Sequence, residues 1–261
     1  MKAAGIGVLV MVLVGVFWPR PEVRTGEPAQ PLEVELPLGD STVVLAVHEH
    51  GDPTFSMLVL HDDENTAAEA GAAFVEEHGG RLVELRAQGE RRVSFSIDGR
   101  HYDFDPNRIF TDVGIRTRLE PEATDEAVWA TRMFADSLLV VYNPHDVIVT
   151  LHNNTPDNYS VLSYVGGGQY ENDAEAVHME EGVDPDDFFF VTDRNLYDAL
   201  RADDFNVVLQ NDESATDDGS LSVWAAQNDL SYVNVEVEHG HLEQQKSMIE
   251  SLAFLLHMIE H

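Results

Sequence analysis

The sequence predicts an α/β sandwich built on a largely parallel sheet. Short apolar, β-branched runs alternate with stretches of helical periodicity from Leu32 onward, and no turn-rich boundary or internal repeat divides them. With 43% hydrophobic residues among 261, the chain can also bury one sizeable core. Residues 32–261 are therefore read as a single domain.

Lys2 precedes an uncharged, largely apolar run of 16 residues from Ala3 to Trp18, short of the roughly 20 that a membrane-spanning helix needs. Residues 1–18 read as a secretory signal peptide, with an uncleaved N-terminal anchor as the alternative because no small-x-small cleavage site precedes Pro19. Residues 19–31, with four prolines, read as a linker to a domain held outside the cytoplasmic membrane. Thr42 to His48 and Met57 to His61 read as strands because β-branched and apolar residues cluster there. Thr66 to Glu77, rich in alanine and stopped by Gly79-Gly80, reads as a helix. Arg81 to Leu85 and Arg92 to Ile97 follow as strands, Asp125 to Leu139 as a helix and Val147 to Leu151 as a buried strand. Arg194 to Leu200 is a short helix, and Asn206 to Gln210 and Tyr232 to Val237 are two more strands. After Gly240 comes a closing helix in which Leu242, Ile249, Leu252, Leu256 and Ile259 recur at helical spacing and dock on the sheet. Sheets of this kind gather their sites at the carboxyl ends of the strands.

Composition removes several function classes. Fifteen Lys plus Arg against 48 Asp plus Glu leave a formal charge of −33, and the only lysines are Lys2 and Lys246. Sequence-independent binding to nucleic acid or to an anionic membrane surface is excluded, since both need a basic surface. Acid in large excess with almost no lysine is the pattern of a halophilic protein, kept soluble where concentrated salt screens self-repulsion. Zero cysteines exclude disulfides, thiol nucleophiles, iron–sulfur clusters and cysteine-bound zinc, so any metal must use His, Asp or Glu.

Four polar constellations could carry chemistry. In His61-Asp62-Asp63-Glu64 an apolar strand runs into His-x-x-Glu and then a helix, so an imidazole and a carboxylate can converge on one ion; an acidic helix entry is equally what the helix dipole favours. In Val147 to Thr155 a buried strand delivers His152 at its end, where a third ligand or a satisfied core histidine would fit. Asn153-x-Thr155 and Asn158-x-Ser160 there match the glycosylation sequon. In Tyr232 to Glu238, alternation puts Glu236 and Glu238 on one face; so close to the core they require a reason, unless the strand lies at an edge. Finally, Arg100 and Arg108 flank an Asp-x-Asn-Arg turn, where a planar guanidinium could grip a substrate carboxylate or join a surface ion pair.

The order of these motifs resembles the aspartoacylase and succinylglutamate desuccinylase family, within the zinc carboxypeptidase superfamily. The resemblance runs from His61 to about Gly240. It implies a three-layer sandwich with a central mixed, largely parallel sheet and helices on both faces. It also implies a Zn2+ cofactor held by His61, Glu64 and His152, with Glu236 as the base and Arg100 polarising the scissile carbonyl. Asn107 and Arg108 would then clamp the substrate carboxylate. Asp62-Asp63 depart from the family's glycine-bearing loop, and Pro106 replaces a leucine. Only 25 residues follow Glu236, so the family's C-terminal β domain is expected to be missing. The expected function is a zinc-dependent hydrolase cleaving an amide bond beside a free carboxylate, carboxypeptidase-like, on a small peptide. The alternatives are an N-acyl-amino-acid deacylase of the aspartoacylase type and a non-catalytic binding domain of the same fold.

Overall fold

The computed structural model describes residues 30–144, 146–156 and 158–259. The signal or anchor segment at 1–18 and the linker up to residue 29 lie outside the described residues.

Eleven strands and six α-helices are described. The strands are β1 (Leu32–Leu38), β2 (Ser41–His50), β3 (Ser56–Val59), β4 (Gly80–Arg86), β5 (Val93–Ile97), β6 (Arg100–Phe104), β7 (Val147–Asn154), β8 (Ala174–His178), β9 (Phe188–Val191), β10 (Val207–Gln210) and β11 (Ser231–Glu238). The helices are α1 (Asn65–His78), α2 (Asp112–Arg118), α3 (Asp125–Tyr142), α4 (Arg194–Ala202), α5 (Leu221–Gln227) and α6 (Leu242–Ile259). Nine strands form one mixed sheet in the order β1-β2-β4-β3-β7-β11-β9-β10-β8, while β5 and β6 pair as a separate hairpin. The four central strands, β4, β3, β7 and β11, run parallel, and antiparallel pairs flank them. All residues of β3 are buried and all but the first of β7, as expected of strands covered on both sides.

Alternation along these strands feeds two cores. On one face Leu45, Leu58, Ile148 and Tyr232 pack with Phe134 and Leu138 of α3, Leu221 of α5 and the hairpin's Phe95 and Phe104. On the other, Met57, Val149, Leu151 and Val235 pack with Ala70 and Phe74 of α1, Leu196 of α4, and Met248, Ile249 and Leu252 of α6. The result is the three-layer α/β sandwich that the sequence implies. Gly71 of α1 permits close docking on the sheet, since a Cβ there would stand 2.9 Å from a Leu151 methyl and 3.0 Å from one of Leu82. After β3 the chain crosses through α1 to β4 on one side, whereas β7 lies on the other. The chain thus diverges at the carboxyl end of β3, the kind of switch point at which α/β sheets place their ligands.

None of the described helices is long and apolar enough to cross a membrane. With a formal charge of −33 over the whole chain, the protein is expected to melt at markedly higher temperature in molar salt than in dilute buffer, because screening removes self-repulsion. A melting temperature flat from 0.05 to about 3 M salt would separate the acidic surface from salt adaptation.

Candidate metal centre

The carboxyl ends of β3 and β7 bring together three ligand groups. His61 ends the apolar run of β3, and a tight turn, closed by Glu64 N–H donating to His61 O at 3.2 Å, returns Glu64 to the same point as α1 begins. Glu64 occupies the N-cap position yet makes no side-chain cap; its carboxylate turns inward instead. His152 stands near the end of β7, and all three side chains are buried. Glu64 Oε1 lies 2.8 Å from His61 Nδ1, Glu64 Oε2 lies 2.8 Å from His152 Nδ1, and the two Nδ1 atoms are 3.2 Å apart. Ligands at 2.0–2.1 Å in a tetrahedral sphere are roughly 3.3 Å apart, and one ligand atom from each of the three residues lies within 4.8 Å of the other two. Its two imidazoles and one carboxylate form a donor set that can hold a metal ion.

His61 Nε2 contacts Asp105 Oδ1 at 2.8 Å. A carboxylate behind a ligating imidazole fixes its tautomer and leaves Nδ1 to face the ion. His152 Nε2 is buried with no partner among the described residues, so its ring is held by Glu64 and packing.

Electrostatics in the metal-free site follow from burial opposed by close charge. Burial pushes the His61 imidazolium down, but Glu64, together with the Asp105 hydrogen bond, outweighs it and raises the pKa to about 9. Burial would raise Glu64, yet the charges of His152 and His61 hold it well below the carboxylate range. His152 is lowered, chiefly by burial. Glu236 is pushed up to about 8 by burial and by the charge of Glu64, with the Asn234 hydrogen bond opposing.

A pH dependence follows. His61 has a folded pKa of about 9 against an ordinary 6.5, so its contribution to metal-free stability is complete below pH 6.5 and lost as pH rises through 9. Glu236, about 8 against 4.5, acts in the same sense, because the folded state keeps its proton longer than the unfolded one. A metal takes the place of the His61 proton, so its affinity is expected to climb with pH up to about 9 and to level off above it. Competition titrations across that range check this, and a constant affinity would contradict it.

Not every residue singled out in the sequence reaches this cluster. Arg100 does not: it begins β6 at the exposed turn end of the hairpin, with its guanidinium 5.2 Å from the Tyr102 ring centre and 3.9 Å from Glu122. The physical reason is that β6 runs as an extended strand between Arg100 and Asp105, holding Arg100 roughly 16 Å from that carboxylate at about 3.3 Å per residue. The arginine at the site is Arg91, half-buried, with Nη1 at 2.8 Å from Glu64 Oε1 and Nε at 3.9 Å from Asp105 Oδ2. Asp62, one of the departures from the family loop, explains how it gets there. Its Oδ2 accepts the N–H groups of Ala87 and Gly89, both at 2.7 Å, pinning the turn that leads into Arg91. Asp62→Ala is expected to lower turnover about tenfold, as loss of an outer-shell support does, and to make a further Arg91→Ala change nearly silent. Additive losses in the double variant would disconnect the two.

Asn107 and Arg108 lie in the 3-10 turn Pro106–Arg108, next to Asp105. Asn107 Oδ1 accepts the N–H of Leu221 at 3.1 Å, and Arg108 is fixed by Asp218 at 3.2 Å and by the Asn107 carbonyl at 2.7 Å. Glu236 is buried on β11 in register with His152. Glu238, in register with Asn154, belongs elsewhere: its N–H donates to Asp187 and its carboxylate stands 3.8 Å from His241. Asn153 is no glycosylation acceptor, since it is buried, its Oδ1 accepting from Ala67 N–H and its Nδ2 donating to Gln245 Oε1 at 2.7 Å.

No protein-family profile matches the chain, and no curated protein matches it. Solved structures similar to it include murein-tripeptide amidase MpaA from Escherichia coli O157, at 13% identity and a TM-score of 0.45, covering 83% of this chain and 86% of that one. The tripeptide-bound cell shape determinant Csd4 from Helicobacter pylori is similar at 13% identity and a TM-score of 0.45, over 82% of this chain and 55% of that one. The succinylglutamate desuccinylase/aspartoacylase from Rhodobacter sphaeroides is similar at 16% identity and a TM-score of 0.46, over 85% of this chain and 63% of that one. The last carries the name of the family that the motifs resemble.

Proposed function

We propose that this protein is a zinc-dependent hydrolase that cleaves an amide bond beside a free carboxylate, acting as a carboxypeptidase on small peptides. The observation that carries this reading is the convergence of His61, Glu64 and His152 on one point, with the buried Glu236 one strand away from His152. Two imidazoles and a carboxylate are a donor set that suits zinc. Bound there, the ion would polarise a carbonyl oxygen and lower the pKa of an attacking water. Glu236 takes the proton from that water and passes it to the departing amine. Arg91, rather than Arg100, supplies positive charge for the oxyanion that develops on the scissile carbonyl. Arg108 binds the terminal carboxylate of the substrate, while Asn107 holds the adjoining loop through Leu221 and so shapes that end of the pocket.

The test is metal analysis of the purified protein, followed by a substrate panel before and after chelation. The panel holds an N-acyl dipeptide with a free carboxyl terminus, its C-terminal amide, and an N-acetyl amino acid. Stoichiometric zinc and chelator-sensitive cleavage of the dipeptide acid, in preference to its amide, are expected. Cleavage of the N-acetyl amino acid alone would turn the reading to a deacylase. Tight binding of the dipeptide without cleavage would turn it to a binding domain.

The same reading takes the chain to be exported through residues 1–18 into a salt-rich exterior. Cell fractionation with N-terminal sequencing tests it; a cytoplasmic protein that keeps Met1 would remove it.

A further inference from the structure

Behind Glu236 lies a file of buried polar side chains. The parallel register sets Tyr232 beside Ile148, Asn234 beside Thr150 and Glu236 beside His152, and strand alternation turns Thr150, Tyr232, Asn234 and Glu236 to one face. All four are buried. Thr150 Oγ1 lies 2.7 Å from the Tyr232 hydroxyl and 3.4 Å from Asn234 Oδ1, and Asn234 Nδ2 lies 2.8 Å from Glu236 Oε2.

The donor directions are forced from one end. In the ionised form that a base requires, the Glu236 carboxylate only accepts, so Asn234 must present its NH2 group to it. The Asn234 carbonyl oxygen therefore faces Thr150, which donates its one hydroxyl proton there and accepts from Tyr232. Every donor points toward Glu236, and bonds aligned in one sense reinforce each other in a medium of low dielectric. An apolar side chain at position 234 would serve the sheet as well and would spare the desolvation of an amide.

We propose that Asn234, held by Thr150 and Tyr232, is a positioning residue that fixes the Glu236 carboxylate with Oε2 engaged and Oε1 available to take the proton. The proposal rests on the reading of Glu236 as the base of a metal-dependent hydrolase. It predicts an effect on the chemical step and not on the metal or on substrate binding.

The experiment uses the full chain loaded with zinc and the N-acyl dipeptide acid as probe, with kcat, KM and zinc content measured for Asn234→Ala, Glu236→Gln and the double variant. Asn234→Ala is expected to lower kcat by about 10- to 100-fold, the range lost with an outer-shell support, at unchanged KM and zinc. In the Glu236→Gln background the same change should alter kcat less than about twofold, because the group it positions no longer works as a base. Thr150→Ser should keep the wild-type rate and Thr150→Val should lose part of it, which gives a second arm if Asn234→Ala folds poorly. Wild-type kcat in Asn234→Ala, or an equal loss with and without Glu236, would overturn the proposal. Failure of the underlying reading looks different: Glu236→Gln would then be fully active, or the probe would not be cleaved at all. In the latter case the urea midpoints of Asn234→Ala, Glu236→Ala and their double variant decide. Strictly additive losses would show that the two side chains are uncoupled and overturn the proposal, and losses smaller than additive would support it.

Discussion

His152→Ala is expected to cost the protein its metal and, with it, essentially all turnover. Among the described residues around His61 and Glu64, only His152 supplies a further ligand atom within reach of both, and three protein ligands are the minimum for a zinc site. A cavity lined by two groups gives water no fixed geometry, so bound zinc should fall from about one per chain to below about a tenth. His61→Ala should match it. Asp105→Asn offers the graded control: it keeps the three ligands but weakens the support behind His61 at Nε2, and should weaken zinc binding by about 10- to 100-fold without abolishing it. Inductively coupled plasma analysis of the dialysed variants reads this directly. Stoichiometric zinc in His152→Ala would show that the triangle around Glu64 is an ion-pair network and nothing more.

Glu236→Gln should separate chemistry from binding. The amide keeps the size of the side chain and can still accept the Asn234 hydrogen bond at the position of Oε2, so fold and metal content should survive. What it loses is the ability to take a proton, worth about 100-fold or more in turnover. Burial and Glu64 hold this carboxyl near a pKa of about 8 in the metal-free protein, and a dication beside it would draw that value down, leaving it ionised and basic at neutral pH. Glu238→Gln is the matched comparison, since Glu238 points to the Asp187 and His241 cluster and lies about 7 Å farther along the strand. An inactive Glu238→Gln beside an active Glu236→Gln would shift the base by one strand repeat and leave the metal site intact.

Arg108→Ala, by contrast, should act on binding. Freed of its guanidinium, the pocket is expected to raise KM for the dipeptide acid while sparing its C-terminal amide. Equal losses on both substrates would remove the clamp.

Three of the groups legible in the sequence share one property: each follows or lies within an apolar strand. His61, His152 and Glu236 follow or sit within runs of Val, Leu and Ile long enough to announce a buried strand, and a polar group at such a place is visible without coordinates. The elements that escape sequence reading lack that contrast. In β1, Glu33 and Glu35 alternate with apolar residues beside Pro37, the composition of an edge strand. In β8, no residue is fully buried. The strand β9 is four residues long, Phe188 to Val191, and its apolar run is too short to tell from a buried helix segment by periodicity.

Local periodicity made the α/β sandwich and the strands leading to His61, His152 and Glu236 legible within a few residues, while their joint reading as a candidate metal site came from the family resemblance. Which arginine lies beside the cluster is visible only in the folded chain. Arg91 and Arg100 both precede the Asp-x-Asn-Arg turn, and the family resemblance pointed to Arg100, but the pairing of β5 with β6 carries Arg100 to the exposed end of the hairpin. Asp62 meanwhile ties the turn at residues 87–89 to the ligand loop and sets Arg91 against Glu64. The same holds for Asp105 behind His61 and for Thr150 behind Asn234, which are 44 and 84 residues apart in the chain. Such partners are fixed by strand register and loop closure, which depend on contacts remote in sequence, and no local pattern encodes them.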